Sequence, residues 1–167
     1  EAAGTHWNHF GANVSQYEIM KQVDELFPGR VEPFLLEPDE FEMVFHPNSD
    51  LDGFIVGHKS GGAELPSPIF SEGCIPNITT LDSDIDPVDV TIREAFTTTC
   101  DSGEVSALLF RDSFFQTMEP YVSRQFGRAT FVWENMTTEA LEAYVESEQP
   151  DIVIYEFVER NLPFITP

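Results

Sequence analysis

Three short apolar runs in the last third of the chain predict β-strands. They cover residues 105–110, 129–133 and 151–157. The first is almost continuously apolar, which is typical of a parallel strand buried on both faces. Pro150 precedes the third run and separates it from the element before it.

Helical spacing fills the gaps between these runs. Residues 114–126 carry apolar side chains at positions 114, 115, 118, 122 and 126, and Thr137 or Thr138 can cap a second helix that extends to about Ser147. Strand, helix, strand, helix, strand in this order predicts right-handed crossovers. The expected fold class is therefore α/β, with a parallel sheet that has helices on both faces.

The rest of the chain is less regular. Apolar residues at positions 14, 17, 20, 23 and 26 are near helical spacing and stop at the sequence FPG, so they predict a helix followed by a short strand at residues 31–36. Residues 37–100 hold most of the Pro, Gly and Asp and one strand-like piece at residues 52–58. We expect a long irregular insertion there.

Composition indicates one folded domain. The 167 residues fit a single unit, expected to span residues 1–167, and 41% hydrophobic with 13% aromatic residues can offset the entropy of ordering. No apolar run approaches the roughly 18 residues of a membrane-spanning helix, so direct membrane insertion is not expected. Because the chain begins with Glu1 rather than Met, we expect a truncated N-terminus.

The charge balance excludes two classes of partner. Thirty acidic residues against eight Lys and Arg give a net charge of -22. A chain so poor in bases cannot form the positive surface that nucleic acid or anionic lipid requires. Such acidity keeps a protein soluble in concentrated salt, so a halophilic origin is one explanation.

Two further expectations concern the local charge near residue 113 and the state of the two cysteines. Residues 111–128 contain three arginines against two acids, so this window is +1 and predicts a less negative cleft. Cys74 and Cys100 are either joined in a disulfide or are two buried thiols, and their number alone leaves both open.

Ser113 is the first candidate for chemistry, because it follows the predicted strand at residues 105–110 in the sequence LFRDSF. Loops at the carboxyl ends of strands hold the ligand in open α/β sheets. N–H groups at the start of the next helix can stabilise a developing oxyanion, so this serine is well placed to be a nucleophile. Ser113 or Asp112 can also simply cap that helix.

A serine nucleophile needs a base, and histidine has a pKa suited to this role near neutrality. The chain offers His6, His9, His46 and His58. Spacing does not choose among them, because a catalytic base is recognised by geometry rather than by distance along the chain.

Three short motifs occur in an order that resembles a known family. THW followed by GA opens the first helix at residues 5–12, DSF follows a buried strand at residues 112–114, and YEFVERNL ends the last strand at residues 155–162. Over residues 5–26 and 105–162 the chain resembles the SGNH-hydrolase-like domain of the alginate O-acetyltransferases, the AlgX and AlgJ group, whose fold is flavodoxin-like. In that family the histidine precedes the serine, as it does in this sequence.

The resemblance implies an acyl-serine mechanism on an exported polysaccharide, without a metal or organic cofactor. It assigns Ser113 as the nucleophile and His6 as the general base. It also implies a periplasmic or extracellular location and a membrane-bound acyl-transfer protein as a partner. The reaction is then carbohydrate O-acetyl transfer or, with water as acceptor, acetyl-ester hydrolysis.

The sequence differs from the family pattern at two positions. Gly4 stands where the family has the Asp that orients the histidine, and loss of such an acid costs roughly 10⁴-fold in rate in a serine protease. Arg111 stands where the serine motif usually has Gly, and this cation can bind an anionic sugar or pair with a neighbouring acid. Two further residues are candidates for substrate binding beside Arg111. Trp7 adjoins His6, and Tyr155 lies near the end of the last predicted strand.

Other readings of the sequence remain. Asp82, Asp84 and Asp86 suggest a calcium loop, but Pro87 and Arg93 occupy positions where that motif has Gly and Glu, so a solvated acidic loop is the better interpretation. The chain could also be a non-catalytic glycan-binding or assembly module that has lost the catalytic acid. A third reading is a hydrolase of lipids or small esters on the same fold.

Overall fold

A computed structural model describes residues 6–47, 61–80 and 95–159. Within these ranges, five strands form one mixed sheet with three α-helices around it, and two further strands form a separate hairpin. The elements in chain order are α1 (His9–Leu26), β1 (Phe41–His46), β2 (Ala63–Pro68), β3 (Asn77–Thr80), β4 (Phe96–Thr99), β5 (Ser106–Phe110), α2 (Glu119–Val122), β6 (Arg128–Val132), α3 (Thr138–Glu148) and β7 (Ile152–Tyr155).

The main sheet has the order β3-β4-β6-β5-β7. β5 pairs in parallel with both β6 and β7, whereas β4 is antiparallel to β6 and to β3. The predicted α/β class is confirmed, and the three predicted strands pair in parallel. The sheet as a whole is mixed rather than parallel, because two strands from the middle segment join it in antiparallel orientation. That segment is therefore not simply an irregular insertion, since it completes the main sheet and also forms the antiparallel β1–β2 pair.

The regular last third matches its predicted elements except at one helix. β5, β6, β7 and α3 lie within a residue or two of the predicted spans, and the Thr137 side chain caps α3 by accepting from the Ala140 N–H at 3.1 Å. The continuous helix predicted over residues 114–126 is wrong. A 3₁₀ turn at Phe115–Thr117 gives way to the short α2, because Pro120 has no N–H to continue an α-helical ladder.

α1 is present, but only part of its apolar pattern is buried. Met20 and Val23 are buried, whereas Val14 is 54% and Leu26 68% exposed. The polar Asn13 and Gln16 are buried instead. The spacing of three drifts around a helix of 3.6 residues per turn, so those apolar positions do not form one face. The helix begins after Asn8, whose side chain accepts from the N–H groups of Phe10 and Gly11.

The strand predicted at residues 31–36 is absent from the described part of the chain, and buried amides of α1 explain why. Asn13 both donates to the Leu36 carbonyl at 2.9 Å and accepts from the Leu36 N–H at 3.1 Å. Gln16 donates to the Phe34 carbonyl at 2.7 Å. Side chains therefore satisfy the backbone groups that a neighbouring strand would otherwise bind.

Alternate residues of β5 enter two different cores. Ala107 and Leu109 pack with α1, α2 and Phe131, whereas Leu108 and Phe110 pack with α3. Helices therefore cover both faces of the parallel part of the sheet, as predicted, and β5 carries no exposed apolar side chain. None of the helices within the described ranges is long and apolar enough to span a membrane.

Cys74 and Cys100 form a disulfide, which decides between the two states that the sequence left open. The bond joins the segment before β3 to the residue after β4, and Cys100 is buried. Residues 52–58 and the acidic stretch at residues 82–86 lie outside the described residues, so the strand and the solvated loop expected there stay predictions.

Replacing both cysteines by serine should lower the free energy of unfolding by about 3 kcal/mol, because the bond closes a loop of 26 residues. Urea unfolding of the double variant and the unmodified protein measures the difference. Dithiothreitol should lower the stability of the unmodified protein alone. Equal stabilities with and without reductant would contradict the prediction.

Candidate active site

Ser113 and His6 meet across the fold. The chain leaves β5 at Phe110, turns, and places the Ser113 hydroxyl 2.9 Å from Nε2 of His6, which lies just before α1. Nε2 accepts the hydroxyl proton when the other ring nitrogen, Nδ1, carries the hydrogen. The pair therefore has the geometry that a serine nucleophile and a histidine base require. Of the three histidines in the described residues, His6 is the one that contacts Ser113.

Asp112 holds the turn on which Ser113 lies. Its Oδ1 accepts from the Phe114 N–H at 2.7 Å, and its Oδ2 accepts from the Val158 N–H at 2.8 Å. The first bond spans Ser113 and closes the turn, and the second ties the turn to the segment after β7. Asp112 thus fixes the backbone on both sides of the serine.

Trp7 positions the histidine segment against the same turn. Its indole N–H donates to the Phe114 carbonyl at 2.7 Å, and its ring meets the Phe114 ring edge-on. The His6 ring also contacts Phe114, with centroids 4.6 Å apart. Phe114 therefore connects the two segments that carry the serine and the histidine.

Glu156 lies beside Asp112 at the end of β7. Its Oε2 accepts from the Asp112 N–H at 3.1 Å, and its own N–H donates to the Phe110 carbonyl at 2.9 Å. Burial raises the pKa of Glu156 to about 7, and the neighbouring Asp112 carboxylate adds to this rise. The Asp112 N–H and the Arg111 charge act in the opposite direction.

Arg111 is buried next to the turn and does not face solvent. It is only 6% exposed, forms a 2.5 Å ion pair with Glu119 and lies over the Trp133 ring at 4.2 Å. Of the two roles considered for this cation, the structure shows pairing with an acid. Burial raises the pKa of Glu119 to about 7, although the Arg111 charge lowers it.

The remaining histidines take other places. His9 contacts Tyr121, whose hydroxyl lies 3.3 Å from Nδ1 and donates to the His9 carbonyl at 3.2 Å. Burial lowers the pKa of His9, and the charge of His46 lowers it further, while burial raises the pKa of Tyr121. His46 ends β1. His58 lies outside the described residues, as does Gly4.

Tyr155 ends β7 but packs away from the serine and histidine. Its side chain lies against the core formed with α3, and its ring contacts Phe157 with centroids 4.9 Å apart. The structure thus places Ser113, His6 and Trp7 together, and it does not bring Tyr155 into contact with them.

The three arginines of residues 111–128 do not gather around Ser113. Arg124 donates to the Cys74 carbonyl and lies over Phe70, and Arg128 forms an ion pair with Glu148. Arg124 lines a cleft of about 750 Å³ with Gly103, which precedes β5, so this cleft is at the opposite end of the sheet from Ser113. The less negative cleft expected at the serine is therefore not formed by these three side chains.

The fold is similar to that of three solved structures. Bacillus cereus PatB1 with a sulfonyl adduct has a TM-score of 0.63 and 16% identity, covering 94% of this chain and 59% of that chain. A second PatB1 structure has a TM-score of 0.63 and 13% identity, covering 94% of this chain and 61% of that chain. A DHHW family protein from Eubacterium siraeum has a TM-score of 0.58 and 12% identity, covering 90% of this chain and 55% of that chain. No protein-family model and no curated protein sequence matches the chain.

These similarities show the fold alone, and the chain spans less than two thirds of each of the solved chains. They define a mixed α/β domain of the kind found in PatB1 and in the DHHW family protein. Activity, substrate and partners do not follow from them.

Sequence reasoning missed three carboxylates around the site. The sequence marks Asp112 only as a possible helix cap, although an Asp whose side chain accepts from the N–H two residues on is a common turn former. Glu156 belongs to the YEFVERNL motif, which assigns it no role. Glu119 pairs with Arg111, and the sequence does not show which acid lies beside this arginine.

Replacing Glu119 by alanine should lower the free energy of unfolding by about 3–5 kcal/mol, because the buried Arg111 guanidinium loses its carboxylate. Urea denaturation near pH 8, where this carboxylate is ionised, measures the change. Glu146→Ala, at an exposed position of α3, is the matched control and should change stability little. A Glu119 variant as stable as this control would contradict the prediction.

Proposed function

We propose that this chain is an SGNH-type, serine-dependent carbohydrate O-acetyltransferase or acetylesterase. The observation that carries the proposal is the 2.9 Å contact between Ser113 Oγ and His6 Nε2, at the carboxyl end of a buried parallel strand. Loops at this end of the strands are where α/β proteins bind their ligands. Ser113 is the nucleophile and His6 the general base.

The reaction proceeds in two acyl transfers. Ser113 Oγ attacks the acetyl carbonyl while His6 Nε2 takes the hydroxyl proton, and the bond to the donor oxygen breaks as His6 returns that proton to the leaving group. A sugar hydroxyl or water then attacks the acyl-serine and gives its proton to His6 Nε2. The bond between the acyl carbon and Ser113 Oγ breaks as His6 returns this proton to Ser113 Oγ. In the described part of the chain the Ser113 N–H donates to no protein acceptor, so it can stabilise the oxyanion.

Fold and sequence support this proposal independently. One of the similar structures, PatB1, carries a sulfonyl adduct, and sulfonyl reagents form covalent adducts with activated nucleophiles such as serine. The motifs around His6 and Ser113 resemble those of the AlgX and AlgJ group. From that resemblance we propose a periplasmic or extracellular location, an exported polysaccharide as substrate and a membrane-bound acyl-transfer protein as partner.

The charge of the chain limits the kind of polysaccharide that we propose as the substrate. A net charge of -22 repels a strongly anionic polymer, and Arg111, which could have attracted one, is paired with Glu119. We therefore favour a neutral or weakly charged glycan. Trp7, which adjoins His6, remains a candidate for contact with a sugar ring, whereas Tyr155 lies against the core formed with α3.

A second function has one observation in its favour. Gly4 occupies the position at which the resembled family has the Asp that orients the histidine. Loss of this acid is expected in a glycan-binding or assembly module that has kept the fold and lost the activity.

The unmodified protein should hydrolyse or transfer acetyl groups and form a covalent adduct on Ser113 with a sulfonyl fluoride. Ser113→Ala should abolish both, and His6→Ala should lower kcat/KM by about 10²- to 10⁴-fold through loss of the base. Turnover of 4-nitrophenyl acetate and of an acetylated oligosaccharide, with peptide mass spectrometry of the adduct, gives these values.

Ser147→Ala, at an exposed serine of α3, is the matched control and should leave turnover and labelling unchanged. Neither turnover nor an adduct on Ser113 in the unmodified protein would overturn the enzymatic proposal and favour the binding module. Acetyl transfer onto oligosaccharides, measured with water as the competing acceptor, separates a transferase from an esterase.

A further inference from the structure

The turn that carries Ser113 is fastened to the segment after β7 by a ladder of three hydrogen bonds. The Glu156 N–H donates to the Phe110 carbonyl, the Asp112 N–H donates to the Glu156 carboxylate, and the Val158 N–H donates to the Asp112 carboxylate. The pairing of β5 with β7 ends at Phe110 and Tyr155. Beyond that point, the Glu156 and Asp112 carboxylates take over from backbone carbonyls as acceptors.

Asp112 transmits this attachment to the reacting atoms. One of its oxygens is held by Val158, and the other closes the turn on Phe114, whose carbonyl in turn binds the Trp7 indole beside His6. A shift of the Asp112 backbone would therefore move Ser113 relative to His6. The Glu156 carboxylate is the group that accepts the Asp112 N–H and so limits this shift.

We propose that Glu156 is a positioning residue that holds Ser113 Oγ on His6 Nε2 through Asp112. This inference rests on the proposed role of Ser113 as the nucleophile. Glu156 does not itself reach the serine or the histidine in the structure, so it acts on the geometry of the pair and not on the bonds that form and break.

Glu156 acts through the Asp112 N–H and not through its own charge. Burial raises the pKa of Glu156 to about 7, the hydrogen bond from the Asp112 N–H lowers it, the Asp112 carboxylate raises it, and the charge of Arg111, which is paired with Glu119, lowers it. Because the effects of Asp112 oppose one another, the positioning role depends on the acceptor that Glu156 offers to the Asp112 N–H.

The test compares two Glu156 variants in labelling of Ser113 by a sulfonyl fluoride and in ester turnover, from about pH 6 to about pH 9. Glu156→Gln keeps a carbonyl oxygen that can accept the Asp112 N–H, so it should retain most of the activity of the unmodified protein. Glu156→Ala removes the acceptor and should lower kcat roughly 10- to 100-fold at every pH, with KM little changed.

Glu146→Gln, an exposed glutamate on α3, is the control and should keep the profile of the unmodified protein. A Glu156→Gln variant that loses as much activity as Glu156→Ala would overturn the positioning role, as would Glu156→Ala labelling at the unmodified rate. If Glu156→Ala does not fold, Glu156→Gln decides alone, and a loss of about 10-fold or more in its kcat would overturn the role. Failure of the unmodified protein to label at Ser113 would instead overturn the proposed function, and the positioning role with it.

Discussion

The Asp112 carboxylate is the constraint on which the candidate site depends. Its two oxygens bind N–H groups on different segments, Phe114 within the serine turn and Val158 beyond β7, so the turn has little freedom to move. A carboxylate suits this task because it accepts several hydrogen bonds at once, and bonds to a charged acceptor are stronger than neutral ones. The buried strand β5 supplies the rigid base from which this turn projects.

Three arginines in the described residues are bound within the fold. Arg111 neutralises Glu119 in the interior, Arg128 pairs with Glu148, and Arg124 reaches a backbone carbonyl. Burial opposes the ionisation of Glu119 and of Glu156 and raises the pKa of each to about 7, although the charge of Arg111 lowers both values. Such shifts are common at functional sites, where buried charged groups stand close together.

The parts of the fold that sequence predicted well are those governed by local rules. α3 follows from a threonine cap and helical spacing, and β5 from its apolar run. The exposed face of α1 could not be predicted from apolar spacing, because the buried Asn13 and Gln16 serve the backbone of residues 34–36. The addition of β3 and β4 to the sheet depends on pairing between distant segments, for which no local pattern exists.

For the candidate site, the sequence by itself determined the α/β class, the placement of Ser113 after a buried strand and, through a resemblance, the choice of His6. Only the tertiary structure decided that these two side chains meet, that Arg111 pairs with Glu119, and that Asp112 and Glu156 hold the turn. The physical reason is that strand periodicity and helix caps are encoded within a few neighbouring residues. The hydrogen bond between residues 112 and 156 forms only when β5 pairs with β7, and the one between residues 6 and 113 forms only when α1 packs against the sheet.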